Sequence, residues 1–277
     1  MSEQLTLEGI TNVEDLKLSV TKGIERALHN ATERGTRKPP QIFHNAEQLK
    51  AVLRRTERIL LALKKEKLVS DHDVELGTLA AAYYNFSRAK ISTKQGTFLG
   101  YRTKPFLSAE AARSFMSNEN KEAEAKFLSR IYSDEDMSRI ERAILSTEAE
   151  WSPELKTMLH KCPIVHDPIS SALALADVGV YGMEPESSLG EATLRYRENN
   201  PVFLSEFVRE FAQRHVDFVK GRKTVFSSYE LLRFRTRERS VVEKMFQGFD
   251  ESIRIAEEFK NKVETASPEA VSKMMGY

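Results

Sequence analysis

Three short segments of this 277-residue chain carry residues whose types and spacing could do chemistry. In Ile42-Phe43-His44-Asn45-Ala46-Glu47-Gln48, His44 and Gln48 stand four apart and share a helix face. Ala81-Ala82-Tyr83-Tyr84-Asn85 closes an alanine-rich stretch with little polar surface. Ala174-Leu175-Ala176-Asp177-Val178-Gly179 sets one carboxylate in the most apolar part of the chain. Brought together, Gln48, Tyr84 and Asn85 can hydrogen-bond one another, His44 and Asp177.

On these segments the chain resembles the HD-domain superfamily of metal-dependent phosphohydrolases, including the cyclic-nucleotide phosphodiesterases. The shared text is the aromatic-His-Asn entry at 43–45, the apolar-Ala-aromatic run at 81–84 and the Ala-Leu-Ala-Asp-x-Gly segment at 174–179. Residues 117–128 and 140–147 are similar to the stretch between those motifs. The likeness spans roughly 41–180 and continues weakly to about 247. It implies an all-α, single HD-like helical bundle with extra N- and C-terminal helices. In that family two imidazoles and two carboxylates hold a divalent metal. The metal activates a water for attack on phosphorus, and a further His protonates the leaving oxygen. Carried over by position, the first metal-binding His is Gln48, the His-Asp pair is Tyr84-Asn85, the last Asp is Asp177, and the leaving-group acid is His44. Three of the four ligands are therefore replaced by neutral groups.

The reading that follows is a non-catalytic, HD-like pseudo-phosphohydrolase serving as a scaffold or small-ligand sensor. Its former metal site is Gln48, Tyr84, Asn85 and Asp177. It needs no cofactor, and its partner would be a small phosphorylated ligand. The alternative is a working metal-dependent phosphohydrolase acting on a nucleotide or other phosphate ester. In that case His44 is catalytic, a divalent metal is present, and Glu47 or Glu148 lends a ligand. A third reading places anion or RNA binding on residues 220–244, through Arg222, Lys223, Arg233, Arg235, Arg237 and Arg239 with Tyr229 and Phe234 interleaved. That basic face could equally pair with Glu257, Glu258 or a neighbouring subunit of a homodimer. A set of His160, Cys162, His166 and Asp167 would need a loop folded back on itself to hold zinc. Asp71-His72-Asp73 reads as the acidic start of a helix.

Composition narrows the field. Lys+Arg 42 against Asp+Glu 41 leaves a net charge of +1, so no global field draws the chain to nucleic acid or an anionic membrane. A single cysteine excludes an intrachain disulfide framework and suits a reducing, cytoplasmic compartment. The first residues lack a basic and apolar leader, so a secretory signal is not expected. Few glycines and prolines and 30% charged residues favour helices.

The elements that must position the segments follow from periodicity. Residues 1–12 carry little apolar weight and are expected to be flexible. From 13 onward one all-α domain is expected, with about ten to thirteen helices, no substantial sheet and a helical extension over about 200–277. Leu16, Val20, Ile24 and Leu28 mark a helix from Val13 to about Asn30, followed by a polar linker at 32–41. Leu49, Val52, Leu53, Thr56, Ile59, Leu60 and Leu63 form a stripe, with Arg54, Arg55 and Arg58 on the polar face. Ser70 and Ser133 read as helix caps. Ser152-Pro153, Asp167-Pro168, Asn200-Pro201 and Ser267-Pro268 each read as a capping residue before a first-turn proline.

Overall fold

The structure is a computed structural model that describes residues 13–36, 41–87, 104–160, 167–227 and 236–277. The N-terminal 1–12, the Pro39-Pro40 part of the linker, Cys162 and His166 lie outside the described residues. The fold is all-α with one small hairpin. Helices α1 (Val13–Thr36), α2 (Ala46–Lys65), α3 (Asp71–Tyr83), α4 (Lys104–Ala125) and α5 (Asp134–Leu145) precede strands β1 (Ala149–Ser152) and β2 (Thr157–His160). Helices α6 (Pro168–Asp177), α7 (Val180–Met183), α8 (Pro185–Asn199), α9 (Ser205–Val225), α10 (Thr236–Met245), α11 (Phe249–Thr265) and α12 (Pro268–Met275) follow. No described helix is long and apolar enough to cross a membrane.

Helix α3 is the hub. It packs on α1, α2, α4, α5 and α6, and Leu76, Leu79, Ala80 and Ala81 are fully buried. That is the environment its apolar C-terminal half requires, and each buried leucine contributes about 1.5–3 kcal/mol. Gly77 makes the approach of α2 close, because a Cβ there would sit 2.4 Å from Leu60 Cδ1. The α2 stripe is buried as the periodicity predicts, except that Leu53 is only partly covered. A second, smaller apolar cluster of Val208, Ala212, Phe259, Val263, Val271 and Met275 joins α9, α11 and α12.

Ser70 and Ser133 close reciprocal capping boxes with Asp73 and Asp136, and Asp167 and Ser267 cap helices whose first residue is proline. The other two proline pairs depart from expectation. Ser152-Pro153 ends β1 and enters the hairpin turn, where Lys156 takes φ 50°. Helix α9 starts at Ser205 behind Leu204, four residues past Pro201. The hairpin pairs Ala149 with His160 and Ser152 with Thr157. Its turn lies against α9 at Gly221, where a Cβ would come 2.0 Å from Leu155 O. Helix α1 also runs past Asn30 to Thr36, so the first residues of the expected linker are helical.

Candidate functional site

A cavity of about 380 Å³ opens where α2, α3, α6 and α8 converge on the hairpin. His44, Gln48, Tyr84, Asn85 and Asp177 all line it, although His44 and Asp177 stand 133 residues apart and the five come from three separate segments. Each is held by a local device. Asn45 caps α2: its Oδ1 accepts from Glu47 N at 2.9 Å and Gln48 N at 3.2 Å, and its Nδ2 donates to Ile42 O at 2.7 Å. This fixes His44 just ahead of the helix and Gln48 in its first turn. Arg34, buried at the end of α1, donates from Nη1 to Asn85 O at 2.5 Å, which pins the chain leaving α3. Asp177 ends α6, whose start is fixed by Asp167 accepting from Ser170 N at 3.1 Å.

The opposite wall depends on buried charge. Arg55 is fully buried rather than on the polar face of α2. Its Nε and Nη2 donate to Glu184 Oε2 at 3.0 and 2.9 Å, and Nη2 also donates to Glu191. Arg54 adds a bond of 3.0 Å to Glu184 Oε1. Burial pushes the Glu184 carboxyl upward, but Arg55 and Arg54 outweigh it and hold the group below its ordinary range. This network clamps the start of α8 to α2 and neutralises Glu191, a cavity residue.

The end of α8 supplies Glu198. Its Oε2 accepts from Phe43 N at 2.8 Å and His44 N at 3.0 Å, and its Oε1 meets His44 Nδ1. Burial would raise the Glu198 carboxyl, but the hydrogen bonds from His44 and Phe43 overcome it and pull it down to about 2. The carboxylate is therefore ionised through the neutral range and fixes the imidazole by one ring nitrogen. That arrangement orients an acid or base. Nothing in Tyr196-Arg197-Glu198-Asn199-Asn200 distinguishes Glu198 from a solvated helix face by sequence.

The polar cluster differs from the expected network in its pairing. Gln48 Nε2 donates to Tyr84 Oη, as expected. His44 turns to Glu198 rather than to Asp177. Asp177 is half-buried and makes no side-chain hydrogen bond or ion pair among the described residues. Arg195 of α8 lines the same cavity, rests over the Phe43 ring at 5.6 Å, and likewise has no ion pair among the described residues.

A divalent metal does not suit these groups. Gln48 and Tyr84 satisfy each other, Asn85 is an amide, His44 is committed to Glu198, and one carboxylate remains. Among the described residues no three His, Cys, Asp or Glu side chains converge as a metal site. Glu148 lines the cavity, but Glu47 does not; it is exposed and pairs with Lys50 at 2.7 Å. His160 lies on β2 and also lines the cavity, while Asp167 is occupied as a cap and by Arg139 at 3.1 Å.

Four cations of the basic segment are engaged within the described residues. Arg222 is buried and donates from Nη1 to Met158 O at 2.6 Å, so it anchors the hairpin and is not available to an anion. Lys223 pairs with Asp250 at 2.6 Å and Lys220 with Glu257 at 2.7 Å. Arg239 pairs with Glu243 at 3.1 Å and donates to Ser227 O at 2.9 Å. Arg233, Arg235, Tyr229 and Phe234 lie outside the described residues, as does the side chain of Arg237 in α10. Compared with family models, curated proteins and solved structures, the chain matches none.

Proposed function

We propose that this chain is a non-catalytic, HD-like helical protein that binds a small polar ligand in the cavity around Asp177. One observation carries the reading. Gln48 and Tyr84 satisfy each other and His44 is held by Glu198, while Asp177 and Arg195 face the same cavity with no charge partner among the described residues. A half-buried carboxylate without a donor is costly; a ligand supplying an amine or hydroxyl to Asp177 would relieve it, and an acid group on that ligand would meet the exposed Arg195. A small phosphorylated ligand bearing hydroxyl or amino groups meets that description. The resemblance on residues 41–180 supports the pseudoenzyme aspect, and a cytoplasmic location fits the single cysteine.

The test is a thermal-shift and calorimetry panel of small sugar phosphates and aminoalkyl phosphates against the wild type, Asp177→Asn and Arg195→Gln. It runs alongside hydrolysis of bis(p-nitrophenyl) phosphate with Mg²⁺, Mn²⁺ or Ni²⁺. Saturable binding weakened by both substitutions, with no metal-dependent turnover, is expected. Metal-dependent hydrolysis lost in Asp177→Asn would replace this reading with the phosphohydrolase.

A further inference from the structure

Next to the Asp177 cavity, and sharing Met158, Tyr181, Ala192, Arg195 and Phe218 with it, lies a larger cleft of about 800 Å³. Its character is different. Aromatic rings from three elements meet there: Trp151 on β1, Tyr196 on α8, and Phe211, His215 and Phe218 on α9, with Tyr181 of α7 beneath. Trp151 and Phe218 have planes within 12° of each other at 6.5 Å between centroids, and Tyr181 meets Phe218 edge-on at 5.5 Å. Phe211 stacks on His215 at 5.7 Å and lies 4.5 Å from Tyr196. Trp151 is half exposed, an uncommon state for the only tryptophan of the chain. The cleft thus offers parallel aromatic surface that is open to solvent, the arrangement that takes a flat π-system by offset stacking.

The charges of the lining choose the sign of the occupant. Three cations and one carboxylate line the cleft. The carboxylate, Asp217, is matched by Lys156 at 2.9 Å and Gln213 Nε2 at 3.2 Å. Arg214 pairs with Glu210. The Arg195 guanidinium is left with no ion pair or hydrogen bond among the described residues beyond its position over Phe43. A cationic aromatic ligand would meet net repulsion, and an uncharged one would leave the guanidinium unused. A carboxylate or similar planar acid matches the guanidinium in bidentate fashion. Burial keeps the His215 ring neutral down to about 4, so it adds ring surface and no charge.

We propose that the cleft between the β1–β2 hairpin and helices α8 and α9 is a binding site for planar aromatic acids, with the ring against Trp151 and Phe218 and the acid group on Arg195. This site shares Arg195 and Phe218 with the Asp177 cavity but takes its ring surface from Trp151 and does not use Asp177, and it does not depend on the HD-like reading.

The protein contains its own reporter, since all tryptophan fluorescence comes from Trp151. The probes are 1-naphthoate, 1-naphthalenemethanol (same ring, no charge) and cyclohexanecarboxylate (same charge, no π-system), titrated by Trp151 fluorescence and by calorimetry on the full chain. Saturable binding of 1-naphthoate is expected, about tenfold or more tighter than either comparison compound, the factor one charge-assisted hydrogen-bonded group supplies. Arg195→Gln, on an exposed position of α8, should remove that advantage over 1-naphthalenemethanol without lowering the melting temperature. Phe218→Leu should weaken both naphthalene compounds together. Asp177→Asn should leave 1-naphthoate binding unchanged while weakening phosphorylated ligands, which separates failure of this site from failure of the first. Equal affinity for all three probes, no saturable signal, or 1-naphthoate binding indifferent to Arg195→Gln would each overturn the assignment.

Discussion

Glu198, in the last turn of α8, grips both the ring and the backbone N–H of His44, 154 residues earlier in the chain. This pairing decides what the imidazole can do, because it commits Nδ1 and leaves Asp177 without the partner that proximity in the cavity would suggest. Glu198→Gln tests it. The carboxyl is pulled from 4.5 to about 2, so its stabilisation is complete above pH 4.5 and is lost as pH falls toward 2. The group is only partly shielded, so we expect about 1–2 kcal/mol at pH 7 rather than the full shift. Urea denaturation at pH 7 and pH 3 should show the wild type and Glu198→Gln converging in acid. Parallel curves would mean that Glu198 is not bound to His44.

The Gln48–Tyr84 bond is buried, so removing one partner strands the other. Tyr84→Phe should cost about 1–3 kcal/mol. The double variant Gln48→Leu/Tyr84→Phe should recover much of that loss, since replacing both partners leaves no unsatisfied amide. Chemical denaturation of the cycle measures the coupling directly. An additive cycle would show that the two side chains do not interact.

Periodicity and capping chemistry made most of the scaffold legible. The α2 stripe and the caps at Ser70, Ser133, Asp167 and Ser267 each rest on local rules. The five cavity residues were singled out for a different reason, the resemblance of their flanking text. What sequence hid was tertiary charge. Arg55 and Arg222 look like surface cations and are buried, because Glu184 and Glu191 receive one and Met158 O the other. Glu198 carries no pattern at all. The hairpin was hidden by Ser152-Pro153, which suits a turn as well as a helix start.

Asp177 has no donor among the described residues, so nothing there offsets the desolvation of its charge. Asp177→Asn should therefore be within about 0.5 kcal/mol of wild type or more stable. A guanidinium titration at pH 7 decides this. A loss of several kcal/mol would place a cation on Asp177 in the purified protein, and elemental analysis would then identify it.

The resemblance makes a constructive prediction. If Gln48, Tyr84, Asn85 and Asp177 hold the geometry of an eroded centre, then Gln48→His, Tyr84→His and Asn85→Asp together should create a site taking up one Mn²⁺, Ni²⁺ or Zn²⁺. Uptake should release protons, because imidazole and carboxylate bind deprotonated. Calorimetry in two buffers of different ionisation enthalpy reads both quantities. A folded triple variant with no uptake would show that sharing a cavity is not convergence on one point.

His215 should dominate the response of stability to mild acid. It lies in α9, nine-tenths buried, and its Nε2 has no partner among the described residues. Burial alone lowers it from 6.5 to about 4, since no nearby carboxylate compensates for desolvation of the imidazolium. The sign follows from proton counting. Above pH 6.5 neither state binds a proton here; between 6.5 and 4 the unfolded chain does and the folded chain does not, so stability falls as pH falls. Over the whole window the loss is about 3 kcal/mol at roughly 1.36 kcal/mol per unit. His215→Phe keeps a ring against Phe211 and Tyr181 and removes the titration. At pH 7 the two proteins should be close in stability, and by pH 4.5 the variant should be the more stable by about 2 kcal/mol or more, the portion of that window already crossed. Urea midpoints at half-unit steps trace the divergence. A constant difference across the range would show that His215 accepts its proton in the folded state, and that an acidic group reaches it which the wall of rings around α9 does not contain.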